Sequence, residues 1–347
     1  MRKEIGFVAV GQAGGNIGRL FEKMGYTVVY MNTSQEDLKT LPESTYKFHL
    51  EGGDGCNKER TKAKKLLAKN IEQVLEQINR KIPQKMIFTI FSAGGGTGSG
   101  IGPMLIDILQ QDLGRTTGAI TILPDDTESV KAHINAYDCV RELADITEMG
   151  AAFFIDNNSG RNKIKLNEVF SQLLDDFVCI PEKKGSVLGN IDRAEVREVL
   201  GTKGASVLCR LSRQETSTAK IIERIRTGIF AELDEVKAVK YMAILAAGGA
   251  APVNLQALQA EFGTAYDIFQ GFEAEHTICC LSGMRFPFTR MKKIRDRAMQ
   301  NQGEIVESMS AVNVNPMGEE LDLDLFAKVK RTEKRKGNSR DLLKQFL

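Results

Sequence analysis

The chain has 347 residues, 42% of them hydrophobic, which predicts a sizeable core and more than one domain. Its formal net charge of only +2 excludes a body that binds nucleic acid by general electrostatic attraction. The six cysteines form no Cys-x-x-Cys pair and the three histidines lie far apart, so neither a zinc site nor a disulfide framework is expected.

Apolar strand-like runs alternate with helical patterns through the first half of the chain. The predicted strands cover residues 5–10, 27–31, 86–91, 119–123 and 151–155. The predicted helices cover residues 15–24, 58–80, 99–111, 129–148 and 165–178. Strands separated by helices predict an α/β fold with a doubly wound parallel sheet, which binds ligands at the carboxyl ends of its strands.

The pattern changes after about residue 210. A predicted helix at 219–230 is followed by strands at 238–246 and 277–281, with a helix at 255–262 between them and a basic helix at 288–300 after them. This indicates a second, smaller α/β layer. The basic tail (residues 328–347) holds eight Lys or Arg against two acidic residues, so it carries +6 and the rest of the chain −4.

The glycine run (residues 92–100) reads Ser-Ala-Gly-Gly-Gly-Thr-Gly-Ser-Gly and lies between a predicted strand and a predicted helix. Glycines in such a turn let backbone N–H groups approach an anion without Cβ clashes. The helix N-terminus adds its positive dipole end, and Thr97 and Ser99 add hydroxyl groups. The pattern therefore predicts a polyphosphate ligand.

The first loop (residues 11–18) is a second glycine-rich turn from a strand into a helix. A dinucleotide-binding fold starts in a similar way, but the spacing departs from Gly-x-Gly-x-x-Gly, and the second strand ends in Asn-Thr-Ser rather than in an acidic residue. The absence of Gly-x4-Gly-Lys-Ser/Thr disfavours a P-loop kinase or ATPase. Two lysine-free loops predict a phosphate cradle, formed by the first loop and the glycine run from backbone amides, helix dipoles and a metal ion.

The glycine run resembles the signature loop of the tubulin/FtsZ superfamily of GTP-driven polymers, and the first loop is similar to that family's first loop. The second loop (residues 32–34) and the third loop (residues 52–57) follow in the family's order. The resemblance implies that GTP or GDP binds with Mg²⁺. It also implies these nucleotide contacts: Gly11, Gln12, Ala13, Gly14, Gly15, Asn16, Asn32, Gly55, Asn57, Ala93, Gly94, Gly95, Gly96, Thr97, Gly98, Ser99, Pro124, Glu128, Lys131, Asn157 and Asn167.

Three further segments resemble the parts of the family that hold the nucleoside. The ribose loop (residues 124–128) is similar to the family's ribose-contacting loop. Asn157 follows a strand where the family places a guanine-reading asparagine, and Asn167 resembles the second guanine-reading position. Asparagine suits guanine because its amide both donates and accepts hydrogen bonds. Lys163 stands where FtsZ proteins usually have an aromatic residue.

The activating loop (residues 189–195) reads Gly-Asn-Ile-Asp-Arg-Ala-Glu at the start of a predicted helix. By themselves, Asp192 and Glu195 fit ordinary capping of a helix N-terminus. Asn-x-Asp-x-x-Glu also resembles the superfamily loop that completes the GTPase site of the neighbouring subunit. The resemblance implies that Asn190, Asp192 and Glu195 are catalytic, that the carboxylates orient the attacking water, and that hydrolysis requires polymerisation.

Residues 226–232 and the short span from Asn157 to Asp192 are more similar to the TubZ branch of plasmid and phage proteins than to FtsZ. This branch implies head-to-tail filaments that move plasmid or phage DNA, with a DNA-binding adaptor recruited through the basic tail. Two alternatives stay open, an FtsZ-type division-ring protein and a non-polymerising dinucleotide-binding enzyme.

The resemblance covers about residues 3–300 and divides the chain into four parts. We expect a GTP-binding domain at 1–163, a core helix with the activating loop at 164–203, an activation domain at 204–302 and a flexible basic segment at 303–347. No signal peptide is visible, and the longest apolar run is shorter than the ~20 residues that span a bilayer. We therefore expect a cytoplasmic protein without direct membrane insertion.

Overall fold

The computed structural model describes residues 1–41, 46–160, 162–183, 185–234 and 238–312, with side chains up to residue 305. Within these residues the helices are α1 (Gly11–Lys23), α2 (Gln35–Lys39), α3 (Arg60–Lys81), α4 (Thr97–Leu113), α5 (Val130–Asp145), α6 (Lys163–Val178), α7 (Arg193–Leu200), α8 (Thr218–Arg226), α9 (Leu255–Phe262) and α10 (Phe288–Val312). The strands are β1 (Ile5–Val10), β2 (Thr27–Asn32), β3 (Tyr46–His49), β4 (Met86–Ser92), β5 (Thr116–Leu123), β6 (Ala151–Asp156), β7 (Gly204–Ser212), β8 (Ala238–Ala247), β9 (Thr264–Ala274) and β10 (His276–Met284).

The first six strands form the predicted doubly wound sheet. They pair in parallel in the order β3-β2-β1-β4-β5-β6. Every residue of β1 and β6 is buried. Strands covered by helices on both faces are expected to have continuous apolar sequences. The predicted strands were recognised by this pattern. The predicted fold class is confirmed.

The second half of the chain extends the same sheet, whereas the sequence indicated a second layer. The order continues β7-β10-β8-β9, with β10 antiparallel to both of its neighbours. The junction between the halves is narrow, because β6 and β7 pair in parallel through only two residue pairs, Ala151 with Gly204 and Ala152 with Ala205.

Helix α6 packs against both halves of the sheet. It contacts α1 on one side and both β7 and β10 on the other. An aromatic cluster anchors it in the core, where the ring of Phe170 meets Phe21 edge-on at 6.3 Å and Phe153 at 5.6 Å, while Phe21 stacks on Phe7 at 4.2 Å. Such aromatic pairs contribute about 0.5–1.5 kcal/mol each beyond their burial.

Two helix boundaries differ from the prediction in a way that matters for the site. Helix α1 begins at Gly11 rather than at residue 15, so the first loop is itself the first turn of the helix. Helix α8 ends at Arg226 rather than at residue 230, because the chain then turns and Phe230 forms a β-bridge with Ile155.

Contacts group Met1–Gln302 as one compact unit and Gly303–Leu347 as another, of which the structure describes residues up to 312. The predicted domain boundaries inside the first unit stay predictions, and the basic tail lies outside the described residues. None of the described helices is long and apolar enough to cross a bilayer. The six cysteines are all free thiols.

Candidate functional site

Two helices begin side by side at the carboxyl ends of adjacent strands. Helix α1 starts directly after β1, and α4 starts a few residues after β4, the neighbour of β1 in the sheet. Their N-cap residues, Val10 and Gly96, provide no side-chain cap. First-turn N–H groups have no partner inside their helix and carry the positive end of its dipole. An anion held at both helix starts would therefore receive hydrogen bonds and favourable field from each.

The starts of α1 and α4 line a cavity of about 400 Å³, within the range of small-molecule sites. All three nucleotide loops, the glycine run and the ribose loop contribute to its wall. The predicted contacts that line it are Gly11, Gln12, Ala13, Asn32, Gly55, Asn57, Gly94, Gly95, Gly96, Thr97, Gly98 and Glu128. Segments far apart in sequence thus meet where the sequence predicted a polyphosphate.

The remaining predicted contacts do not line this cavity: Gly14, Gly15, Asn16, Ala93, Ser99, Pro124, Lys131, Asn157 and Asn167. Gly15 and Asn16 line a small adjoining cavity together with Gln12. For all nine residues, contact with a nucleotide stays a prediction.

Several of these residues support the cradle from behind. The buried Ser99 hydroxyl donates to the Gly95 carbonyl and so fixes the glycine run from within. The Lys131 ammonium donates to the Asn57 carbonyl at 3.0 Å and holds the third loop. A Cβ on Gly14 would lie 2.3 Å from the Ile90 carbonyl oxygen, so α1 reaches β4 only because this residue has no side chain.

Two glycines of the cradle are required by its backbone. Gly11 has a φ of +73°, a conformation that L side chains rarely adopt. A Cβ on Gly96 would lie 2.8–2.9 Å from the backbone of Lys58 and Glu59. The glycine run and the segment after the third loop therefore touch backbone to backbone, and both stay close to the start of α4.

A short chain of side chains joins the second loop, the third loop and the glycine run. The Thr33 hydroxyl lies 2.7 Å from the Thr97 hydroxyl, and the Cys56 thiol donates to Thr33 at 3.3 Å. Both Thr33 and Cys56 are buried. Their bonds fix the third loop relative to Thr97.

Asn135 on α5 was not predicted, although it lies at the centre of the cradle's support. Its amide donates to the Lys58 carbonyl at 3.0 Å, the Gly95 carbonyl at 3.1 Å and the Gly94 carbonyl at 3.4 Å, and the residue is 6% exposed. Burying an amide is costly unless it is hydrogen-bonded. The available signal was a polar residue within the buried stripe of an amphipathic helix. Lys58, which lines the cavity, was missed as well.

Lys163 pairs with the ribose loop. Its ammonium lies 3.0 Å from Asp125 and 2.9 Å from Glu128. Burial alone would lower the pKa of Lys163, but the hydrogen bonds to Glu128 and Asp125 outweigh it and raise that pKa. The Thr127 hydroxyl and then the Lys163 ammonium lower the pKa of Asp125 to about 2. An ion pair therefore occupies the position where FtsZ proteins have an aromatic side chain.

Asn157 is the first residue of a short 3-10 turn directly after β6. Its neighbours have other partners: Asp156 accepts from the Asn158 N–H at 2.9 Å, and the Asn158 amide donates to Asp126 at 3.2 Å. Asn167 lies on α6, half-buried. Base reading by Asn157 and Asn167 stays a prediction.

The activating loop is held by a reciprocal capping box at the start of α7. Asp192 Oδ1 accepts from the N–H groups of Ala194 at 2.7 Å and Glu195 at 2.9 Å, while Glu195 Oε2 accepts from the Asp192 N–H at 2.8 Å. The Asn190 side chain closes the preceding turn by two hydrogen bonds to the Ser186 backbone. The capping reading of the sequence is therefore correct as local structure, and it uses one oxygen of each carboxylate.

The activating loop and the cradle lie at opposite ends of β1. Arg193 and Arg197 each reach Glu4 at 3.2 Å, and Glu4 directly precedes β1, whereas Gly11 directly follows it. Six residues of extended chain at about 3.3 Å each separate the two ends by about 20 Å. Asn190 and Asp192 line a separate cavity of about 300 Å³ that shares no residue with the first.

The cradle offers few oxygen ligands to the magnesium ion that the family resemblance implies. Among the described residues no three His, Cys, Asp or Glu side chains cluster as a ligand set. The cavity wall instead offers scattered oxygens, from Asp37, Glu128 and Thr97. Mg²⁺ usually keeps several waters and binds through substrate phosphates with few protein ligands, so this donor set fits an ion carried in by the nucleotide.

Comparison with known proteins identifies the first half of the chain. The family model described as the Tubulin/FtsZ family, GTPase domain, matches residues 4–165, which contain the cradle and all three nucleotide loops. The chain carries a tubulin/FtsZ-family GTPase domain. It is therefore a tubulin-like GTPase, and the resemblance read from its glycine loops is confirmed.

Likeness to members of the tubulin/FtsZ family extends beyond this GTPase domain. The chain is 26% identical over 327 residues to the tubulin-like protein TubZ of Clostridium botulinum C phage, covering 91% of this chain and 90% of that protein. The crystal structure of Clostridium botulinum phage c-st TubZ superposes with a TM-score of 0.79 at 25% identity, covering 88% of this chain and all of that one. A GTPγS-form protofilament of Bacillus thuringiensis serovar israelensis TubZ shares the fold, with a TM-score of 0.75 at 15% identity over 90% of this chain and 94% of that one.

Proposed function

We propose that this GTPase assembles head-to-tail and hydrolyses GTP at the junction between two copies. The observation that carries the proposal is the separation of about 20 Å between the cradle and the activating loop, at opposite ends of β1. One chain folded in this way does not bring its own Asp192 to its own cradle. A second copy stacked along the same direction does, because each junction then joins one cradle to one activating loop.

The proposed division of labour follows from the chemistry of phosphoryl transfer. Phosphoryl transfer is catalysed mainly by positioning and by preset charge. First-turn N–H groups of α1 and α4 hold the phosphates, and Mg²⁺ carried in by the nucleotide would neutralise part of their negative charge. Asp192 and Glu195 of the next copy orient the attacking water through the carboxylate oxygen that their capping box leaves over. Asn190 fixes the turn that presents them.

Two observations support self-association. Val187 is fully exposed and Leu188 is 67% exposed, immediately before the activating loop. Large apolar side chains exposed together often mark a contact surface. In addition, a related TubZ of the same fold was solved as a protofilament. We therefore propose that this apolar pair contacts the neighbouring copy beside the shared site.

Mixing two inactive variants tests the split site directly. Asp192→Ala removes the carboxylate and leaves the cradle intact. Gly95→Val fills the cradle instead, because a Cβ there meets only open space, with its nearest neighbour, the Ser92 carbonyl, 4.0 Å away. Each variant alone is expected to lack GTPase activity. An equimolar mixture forms junctions between an intact cradle and an intact loop, at up to about a quarter of all junctions if pairing is random.

Recovered activity should rise with total protein concentration, as assembly requires. The matched control mixes Asp192→Ala with Glu195→Ala, two loop variants that cannot complement each other. A mixture of Asp192→Ala and Gly95→Val that stays inactive while sedimenting with GTP would rule out the shared site. A wild-type specific rate that is independent of concentration would rule it out as well.

We further propose that the filament moves plasmid or phage DNA in the cytoplasm, through an adaptor that binds the basic tail. The likeness to a phage TubZ and the charge of +6 on residues 328–347 support this. An attachment through charge should weaken with salt. Deleting residues 328–347 should leave GDP binding unchanged and abolish co-sedimentation of the adaptor, a small DNA-binding protein expected to be encoded beside this chain. Unchanged adaptor binding after the deletion would refute the role of the tail.

A further inference from the structure

We propose that Arg290 on α10 is a positioning residue for the nucleoside half of the nucleotide. It would hold the ribose loop and the turn of Asn157 in register, so that α10 contributes to guanine selection. The inference rests on the proposed role of Asn157, and the experiment below separates the two.

Arg290 is a buried cation at the junction of three segments. It is 4% exposed. Its Nε donates to Asp156 Oδ2 at 2.6 Å and its Nη2 to Asp156 Oδ1 at 3.1 Å, a bidentate pair. The same Nη2 donates to the Pro124 carbonyl at 2.9 Å, and Nη1 lies 3.3 Å from Asp126. The planar guanidinium thus spans β6 and the ribose loop at once, which the single ammonium of a lysine cannot do.

Each partner of Arg290 leads directly to a residue of the proposed site. Asp156 precedes Asn157 and caps its turn through the Asn158 N–H. Asp126 accepts from the Asn158 amide, which closes a ring of polar contacts around Asn157. Pro124 packs behind the glycine run, since a Cβ on Gly94 would lie 3.6 Å from the Pro124 Cβ. Arg290 therefore fixes the base-reading turn relative to both the ribose loop and the phosphate cradle.

Lys293, another cation of α10, provides a contrast. Lys293, one turn later, pairs with Glu232 where both side chains are more than half exposed. Exposed pairs of this kind contribute little to stability. A positioning role requires a buried side chain that bonds to two segments of the chain, as Arg290 does to β6 and to the ribose loop, and Lys293 has neither property.

The test measures nucleotide selectivity rather than activity. Competition against a fluorescent GDP gives the affinities for GDP and ADP, and their ratio reports how well the base is read. Arg290→Lys keeps the charge but cannot bridge both segments. We expect it to lower the preference for GDP over ADP roughly tenfold, about the effect of losing one good hydrogen bond. Lys293→Met is the matched control and should keep the wild-type ratio.

A second variant keeps the test valid if Arg290→Lys folds poorly. The double substitution Arg290→Met with Asp156→Asn leaves no unpaired buried charge, and the amide at 156 can still cap the turn. The GDP/ADP ratio should fall here too. A loss of folded protein lowers both affinities together and leaves their ratio unchanged, so a merely structural role would not change it.

Asn157→Ala distinguishes the two proposals. A wild-type protein without GDP preference, or an Asn157→Ala variant that keeps it, would overturn the base-reading role of Asn157 and this inference with it. A preference lost in Asn157→Ala but retained in both Arg290 variants would overturn the inference about Arg290 alone.

Discussion

The cradle is held by contacts from several distant segments, whereas the activating loop is held largely by itself. Behind the cradle, α5 supplies Asn135, the second loop supplies Thr33, and the ribose loop is tied by Lys163. The activating loop relies mainly on its own capping box and on the Asn190 turn, with the partly exposed pair of Arg193 and Glu4 as its tie to a distant segment. We therefore expect the cradle and the activating loop to tolerate substitutions differently. The cradle depends on the whole domain, while the loop can be altered locally without disturbing the fold.

The largest expected effect comes from breaking the loop. Asp192→Ala should reduce GTPase activity about 100-fold or more, because a preset charge at the reacting phosphate is lost, while GTP binding and assembly persist. Phosphate release measures the loss of hydrolysis, and sedimentation in parallel measures the filaments that still assemble.

Asp192→Asn serves as the matched control, because asparagine caps helices as well as aspartate does but carries no charge. It should be as inactive as Asp192→Ala. Full activity in Asp192→Asn would mean that capping of α7, rather than the carboxylate, is what the site needs.

Substitutions at two adjacent glycines test how far the cradle depends on close contacts with other segments. Gly96→Ala places a Cβ 2.8–2.9 Å from the backbone of Lys58 and Glu59, which cannot retreat as a side chain can. We expect a loss of roughly 1–3 kcal/mol in unfolding free energy, as in overpacked cores, together with weakened GDP binding.

At Gly95, one residue earlier, an added Cβ would lie in open space. The unfolding free energy of Gly95→Ala should therefore lie within about 0.5 kcal/mol of the wild-type value. Urea denaturation and GDP titration on both variants provide the measurement. Equal destabilisation of the two would contradict the close backbone contact at Gly96.

A smaller effect is expected behind the cradle, at Asn135. Asn135→Ala removes the amide that donates to the carbonyls of Lys58, Gly94 and Gly95, at a cost of about 1–3 kcal/mol, although Ser99 still donates to Gly95. GDP affinity should fall with it, because the glycine run loosens. Calorimetric titration and thermal unfolding test this, with the exposed Asn79→Ala as control; unchanged GDP affinity in Asn135→Ala would show that the glycine run holds itself.

The smallest effect concerns pH and the ribose loop. Because the Asp125 pKa is lowered to about 2, its stabilising contribution is complete above the ordinary pKa near 3.9 and is lost as the pH falls towards 2. Asp125→Asn should therefore lower stability equally at pH 7 and pH 5, and the difference from wild type should shrink below about pH 4. Removing the main cause with Thr127→Val should move this window to higher pH. If the stability difference between wild type and Asp125→Asn already disappeared between pH 7 and pH 5, the lowered pKa of Asp125 would be contradicted.

The sequence predicted the parts of the molecule whose physical signal is local. Central strands such as β1 and β6 are buried on both faces and read as apolar runs, and glycine spacing alone marked the cradle. The missed β3 and β9 are edge strands with exposed, polar positions, so their residues carry no clear alternation. Elements α2 and β7 were also missed, α2 being a short helix of five residues.

Residues whose role depends on distant contacts could not be found from the sequence. Asn135 meets the glycine run across 40 residues of chain, and Arg290 meets Asp156 across 134. Neither belongs to a short motif, and each is recognisable only as a polar side chain on a buried helix face. The capping box of Asp192 and Glu195 is the opposite case, because its three-residue spacing is visible in the sequence and its geometry is local.

Because the cradle and the activating loop lie at opposite ends of β1, the number of complete sites in a filament differs from the number of chains. A linear row of these chains, joined as proposed, always contains one complete site fewer than it contains chains. At one terminus an activating loop faces solvent. At the other terminus a cradle with bound GTP lacks the activating loop that would orient the attacking water. The two termini of a filament therefore differ chemically from the moment two chains meet, and the nucleotide at one of them outlasts the nucleotides behind it.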